Sequence, residues 1–165
     1  MNRPQAAWRS ILILVAGLLM AGVAYATPAV GDKVSLPAVT LLSGQKLSKG
    51  HYDGKPVIIE YWASWCPHCA RQNPYLQKLY EQAKETNLEI LAVSVDEDKA
   101  DARGHIKEKG YTFPVAMQTP ELVDTFGEQR LIPQLFVIAA DGSIAEIIPG
   151  EMFEKDVLNL IDYAN

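Results

Sequence analysis

The chain has 165 residues, a length that favours one domain; 48% are apolar and 21% charged, so a buried core is expected and disorder is not. Lys plus Arg number 15 against 20 Asp plus Glu, a net charge of −5, and no run of five or more bases occurs. Nucleic-acid binding therefore has no electrostatic support. The two cysteines, Cys66 and Cys69, are too few for a disulfide-stapled scaffold.

Residues 1–26 read as an export signal, separate from the fold. Arg3 and Arg9 form a positive start without acids, Ile11 to Ala21 is continuously apolar, and Ala24-Tyr25-Ala26 places small residues where a signal peptidase inspects them. Cleavage is expected after Ala26. An uncleaved anchor is the alternative, against which stands an apolar run on the short side of the ~20 residues a membrane span needs. Removing Arg3 and Arg9 leaves 13 bases against 20 acids, a net charge of −7, so the mature domain, residues 27–165, is acidic and exported.

From Thr27 to Gly50 the apolar residues Val34, Leu36, Val39 and Leu41 are broken by Pro37 and by a Ser43-Gly44 turn, a pattern that predicts an N-terminal hairpin. His51 to Pro56 is a loop. Val57 to Trp62, VIIEYW, then reads as a strand buried on both faces, with Glu60 its one charge. Ala63-Ser64-Trp65 makes a turn, and Pro67 sits where a helix begins. That helix should run from Cys66 to about Thr86, with Leu76, Leu79, Tyr80 and Ala83 on one face and a kink at Pro74. Leu88 to Val95 predicts a second strand, and Asp96 to Lys109 a helix opened by acids and stopped by Gly110. A short strand at Phe113 to Met117 and a helix from Glu121 to Phe126 follow. Leu135 to Ala139 and Ile144 to Ile148 form a hairpin around Asp141-Gly142. Phe153 to Tyr163 closes the chain as an amphipathic helix with Phe153, Val157, Leu160 and Ile161 inward. This order implies an α/β fold, a mixed sheet with helices on both faces.

Cys66 lies at a predicted helix N-terminus, where unpaired N–H groups and the positive end of the macrodipole favour a thiolate. One helical turn brings Cys69 to it. Structural zinc needs four ligands, whereas His51, His68 and His105 are scattered, and covalent haem needs a histidine where Ala70 stands. The residues thus point to a pair that closes and opens its own disulfide. A carrier role, with the two thiols holding Cu(I) as soft ligands, is the alternative from a different class; no methionine or histidine cluster lies nearby to support it. Trp62 reads as core and Trp65 as part of an apolar rim beside Cys66; His51 and His105 read as surface residues.

The segment WCPHC after a buried strand, Ile132-Pro133 ahead of another strand and the Asp-Gly hairpin resemble the thioredoxin superfamily, from roughly Gly31 to Ala164. The N-terminal hairpin, the helix-strand insertion between Leu88 and Gln134 and the export signal resemble its TlpA/ResA-like branch of thiol-disulfide oxidoreductases. The resemblance implies a thioredoxin fold, with Cys66 as exposed nucleophile, Cys69 as buried resolving thiol and Pro133 as a cis proline. That proline would leave the Ile132 backbone free to pair with a substrate strand. It also implies that Glu60 is a buried acid handling the Cys69 proton.

Departures from the family pattern accompany it. Ala92 stands where thioredoxin supplies a lysine to the buried acid, Gln72 where many members carry a glutamate, and Gln134 where threonine usually follows the proline. Pro67-His68 is the dipeptide of DsbA-like oxidants, and His68 can stabilise a nearby thiolate. The expected protein is a periplasmic, monomeric oxidoreductase needing neither metal nor organic cofactor. It would exchange disulfides with protein substrates as a reductase, often in cytochrome c maturation, and draw electrons from a membrane partner. The alternative within the same chemistry is a disulfide-forming oxidant.

Overall fold

The computed structural model describes residues 27–164 of the chain. The expected export signal, residues 1–26, lies outside the described residues. Two two-residue strands, β1 (Val39–Thr40) and β2 (Lys46–Leu47), pair antiparallel as the N-terminal hairpin. Then come β3 (Val57–Trp62), α1 (Pro67–Ala83), β4 (Glu89–Ser94), α2 (Lys99–Lys109), β5 (Val115–Met117) and α3 (Pro120–Phe126). The chain ends with β6 (Gln134–Ile138), β7 (Ile144–Pro149), α4 (Glu154–Asn159) and a 3₁₀ segment, Leu160–Ala164.

The main sheet has the order β5-β4-β3-β6-β7. β3 runs parallel to β4 and antiparallel to β6, so the mixed sheet is a direct consequence of the β3-α1-β4 crossover followed by the β6-β7 hairpin. All six residues of β3 are buried. Because side chains alternate across a strand, Ile58 and Trp62 pack under α1 and α4, while Val57, Ile59 and Tyr61 face the layer formed by the hairpin and α3. A strand covered on both faces has no polar side, which explains the run of β-branched and aromatic residues. This strand order with its flanking helices is the thioredoxin fold that the resemblance implied.

The N-terminal segment touches both edges of the sheet. Leu41 bridges to Ala116 beside β5, and Lys33 bridges to Ser143 at the turn into β7. Both edges are thereby partly covered against further strand pairing.

Most element ends shift by a residue or two from the sequence reading, and three differences have a visible physical reason. α2 starts at Lys99, not Asp96, with Asp98 as its cap accepting from the Ala100 N–H at 2.8 Å, because the Asp96 carboxylate is engaged elsewhere. α1 ends at Ala83, where Thr86 folds back to the Ala83 carbonyl through both its N–H and its hydroxyl. Phe153 does not face the core: it lies just before α4 and is 82% exposed. The inner face of the C-terminal segment is carried by Val157 and Leu160 alone among fully buried side chains, since a residue preceding the first helical turn does not follow the helical phase. α1 continues through Pro74 as one element, and Gly110 caps α2 in the left-handed region at φ 69°.

Candidate redox site

The turn between β3 and α1 is held from below by one side chain. Asp96, 7% exposed, accepts hydrogen bonds from the Ser64 N–H at 3.1 Å and the Ser64 hydroxyl at 2.7 Å, and from the Ser94 hydroxyl at 2.7 Å. The parallel pairing that sets Trp62 beside Ser94 brings these residues together. Sequence reasoning assigned Asp96 to a helix start; only the strand register reveals its role at the turn.

Above this turn, Cys66 is the cap of α1 and its Sγ accepts the Cys69 N–H at 3.1 Å. Pro67 follows in the first helical turn, where its missing N–H leaves no donor unpaired. Cys66 Sγ also lies 3.8 Å from the Ile132 carbonyl, and the Ile132-Pro133 peptide bond is cis. With its sulfur turned into the helix start and under the Ile132 carbonyl, Cys66 is only 3% exposed, so the expected exposed position of the first cysteine is corrected: in this state the sulfur is covered. Cys69 is fully buried, and both cysteines are free thiols. Burial pushes the Cys69 thiol far above its ordinary range, and the neighbouring Cys66 and Glu60 add to the shift. Trp65, between the turn and Cys66, is 67% exposed, whereas Trp62 is entirely buried.

Glu60 is fully buried on β3, and the residue paired beside it on β4 is Ala92. Its Oε1 accepts from Gln72 Nε2 at 2.6 Å and its Oε2 has no hydrogen-bond partner. Burial drives the Glu60 carboxyl up to about 8, with the Gln72 contact pulling weakly the other way. Near neutral pH the protonated form predominates over an ionised minority, and the unpartnered Oε2 is open to carry the proton. Gln72 is itself buried, and its Oε1 accepts from the Met152 N–H at 2.7 Å. The sequence marked Gln72 only as a missing glutamate, and its place as the partner of Glu60 follows from α1 crossing over β3.

His68 lies on the exposed side of α1, with Nδ1 2.8 Å from Glu151 Oε2 and 2.8 Å from Arg71 Nη2. His51 is exposed, as read. His105 is half-buried and not the fully exposed residue expected: its ring packs 5.5 Å from Trp62 and 6.2 Å from Tyr111, its Nε2 is buried without a partner, and burial lowers its pKa. Cys66, Cys69, Glu60 and Ile132-Pro133 thus converge at one end of β3, while His68 sits on the rim.

A family model described as Redoxin matches residues 29–161. Thiol-disulfide oxidoreductase ResA of Geobacillus kaustophilus is 33% identical over 129 residues, which cover 78% of this chain and 74% of the relative. ResA of Bacillus subtilis is 30% identical over 122 residues, 72% of this chain and 68% of the relative. The crystal structure of a thioredoxin-family thiol:disulfide interchange protein from Chlorobium tepidum superposes with a TM-score of 0.74 at 26% identity, covering 84% of this chain and 99% of that one. StoA from Bacillus subtilis superposes with a TM-score of 0.67 at 22% identity, covering 81% and 98%, a likeness of fold.

Proposed function

The chain belongs to the Redoxin family and is a thiol-disulfide oxidoreductase acting on protein substrates, and on that premise we propose that it is an exported reductase in which Cys66 opens the substrate disulfide and Cys69 releases the product. The observation that carries this assignment of roles is the pairing of Cys66 Sγ with the Cys69 N–H at the start of α1, while Cys69 is buried and its thiol is held protonated. Export is supported by the N-terminal sequence, with Arg3, Arg9 and the apolar run ahead of Ala24-Tyr25-Ala26. Among the described residues no helix is long and apolar enough to cross a membrane.

The exchange proceeds in two displacements. The Cys66 thiolate attacks one substrate sulfur, the substrate S–S bond breaks, and the other substrate sulfur leaves as a thiolate and takes a proton. Cys69 then gives its proton to the ionised fraction of Glu60, which is small near neutral pH and grows towards pH 8, and attacks Cys66 Sγ; the mixed disulfide breaks, and the second substrate sulfur leaves as a thiolate and takes up that proton. The substrate gains two electrons, and the protein is left with a Cys66–Cys69 disulfide. A membrane dithiol donor would restore the reduced state. The Ile132 backbone and Trp65 would meet the substrate chain, the first by strand-like hydrogen bonds and the second by apolar contact. The proposed substrates are cysteine pairs of exported proteins, apocytochromes c among them.

Cys69→Ala tests the roles. This variant should accumulate a mixed disulfide through Cys66 with an oxidised cysteine-pair peptide of the apocytochrome type, because the second displacement has lost its nucleophile. Release of product at the parental rate would contradict the assignment. The Pro67-His68 dipeptide favours a second reading, a disulfide-forming oxidant, which differs in direction and not in chemistry. Oxidation of a reduced, unfolded protein faster than reduction of insulin would favour it.

A further inference from the structure

Three consecutive residues between β7 and α4 each grip a different part of the redox site. The Gly150 N–H donates to the Pro133 carbonyl at 2.8 Å. The Met152 N–H donates to Gln72, which in turn holds Glu60. Between them, the Glu151 carboxylate accepts from Arg71 in a fork, Nε at 2.7 Å and Nη2 at 2.6 Å, and its Oε2 lies 2.8 Å from His68 Nδ1. Two of these grips are made by backbone and do not depend on the side chain between them. The third is a charge contact with the first turns of α1, immediately beside the cysteine pair.

We infer that Glu151 is a positioning residue of the redox centre, whose negative charge offsets Arg71 and His68 and thereby limits how strongly the start of α1 stabilises the Cys66 thiolate. The inference rests on the reading of Cys66 as the nucleophile. Among the described residues Glu151 is the one acid paired with either base. The His68 ring shows why an anion is needed there. Its Nδ1 has a single site, so it accepts from Arg71 when the ring carries its proton on Nε2 alone and donates to Glu151 when Nδ1 is protonated. With both bases charged, Arg71 and His68 are like charges in contact, and among the described residues Glu151 is the acid that compensates them. Arg71 and His68 hold the Glu151 carboxyl down at about 2, so it remains an anion at any working pH. The link to the cysteine is electrostatic and visible at Arg71, which is raised chiefly by Glu151 and in smaller part by the charge of Cys66. Of the buried titratable groups at the pair, Cys69 lies against Cys66 and Glu60 acts on Cys69, and burial keeps both predominantly neutral near pH 7.

Removing the charge while keeping the shape tests this. Glu151→Gln retains an oxygen for Arg71, leaves the backbone grips of Gly150 and Met152 in place, and exposes Cys66 to uncompensated positive charge. Its equilibrium with glutathione should move towards the reduced dithiol by about two- to fivefold, the size expected of one partly exposed unit charge, and the shift should shrink in high salt. Glu151→Asp, which keeps the charge, should stay near the parent. Glu154→Gln, which removes an acid paired with Lys78 farther along α1, should leave the equilibrium unmoved. The inference is overturned if Glu151→Gln does not shift the equilibrium, if Glu151→Asp shifts it as much, or if Glu154→Gln does so too. Mapping which cysteine iodoacetamide modifies first separates the two levels. An unshifted equilibrium with Cys66 reacting first overturns this inference alone, whereas Cys69 reacting first overturns the assignment on which it stands.

Discussion

Glu60 shows how one buried side chain ties stability to chemistry. Its carboxyl is raised from 4.5 to about 8, so between those values the folded protein holds a proton that the unfolded chain has released. Stability linked to Glu60 is therefore fully present below about pH 4.5 and is lost as the pH rises towards 8, by at most about 1.4 kcal/mol per pH unit. Glu60→Gln keeps an oxygen to accept from Gln72 and cannot ionise. Urea unfolding over that window should give a flatter profile for the variant and a more stable protein at its alkaline end. Parallel profiles would show that Glu60 does not hold the proton. The same variant should slow the second displacement by about a hundredfold, the usual weight of a positioned acid or base. At the cysteines, the helix start favours the Cys66 thiolate and burial disfavours that of Cys69, so reduced protein should take up iodoacetamide at Cys66 well before Cys69. Mass mapping of the modified peptide decides it, and equal rates would contradict the assignment of roles.

The turn that delivers the cysteines depends on contacts between elements. Asp96, just beyond β4, closes the Ala63-to-Cys66 turn at the end of β3 by accepting from Ser64 and Ser94. Asp96→Ala would leave these donors without their acceptor in a nearly dry place, and a loss of about 2–3 kcal/mol is expected in urea unfolding. Activity should fall as well, because the Ser64 N–H is two residues from Cys66. A variant with parental stability would show that the turn holds itself. The shift of the α2 start from Asp96 to Lys99 has the same origin: a carboxylate already bonded to Ser64 and Ser94 does not cap a helix, so Asp98 does. Acidic clusters ahead of a helical pattern do not reveal which acid is free.

Taken together, the groups around Cys66 balance one another. The helix start and His68 favour the thiolate, Glu151 opposes part of that effect, and protonated Glu60 leaves no buried charge against it. The potential should fall above thioredoxin's, at about −270 mV, and below DsbA's, at about −120 mV. Equilibration with glutathione measures it, and His68→Thr should move it towards thioredoxin. A parental potential at or below thioredoxin's, unmoved by that substitution, would show that Pro67-His68 does not set the poise.

Local pattern by itself determined the order of elements, the strand buried on both faces at Val57 to Trp62, the start of α1 at Pro67 and the pairing of the two cysteines by one helical turn, because each depends on neighbours a few residues apart. The glycine stop of α2 at Gly110 and the Asp141-Gly142 turn were legible for the same reason. What only the tertiary structure decided involves partners far apart in the chain: Asp96 under Ser64, Gln72 on Glu60, Glu151 against Arg71 and His68, and the Ile132 carbonyl over Cys66. It also turned Phe153 outward and His105 inward. Composition and periodicity state which face of an element is apolar, but a hydrogen bond or an ion pair needs two groups placed within about 3 Å, and that placement follows from how strands register and helices cross.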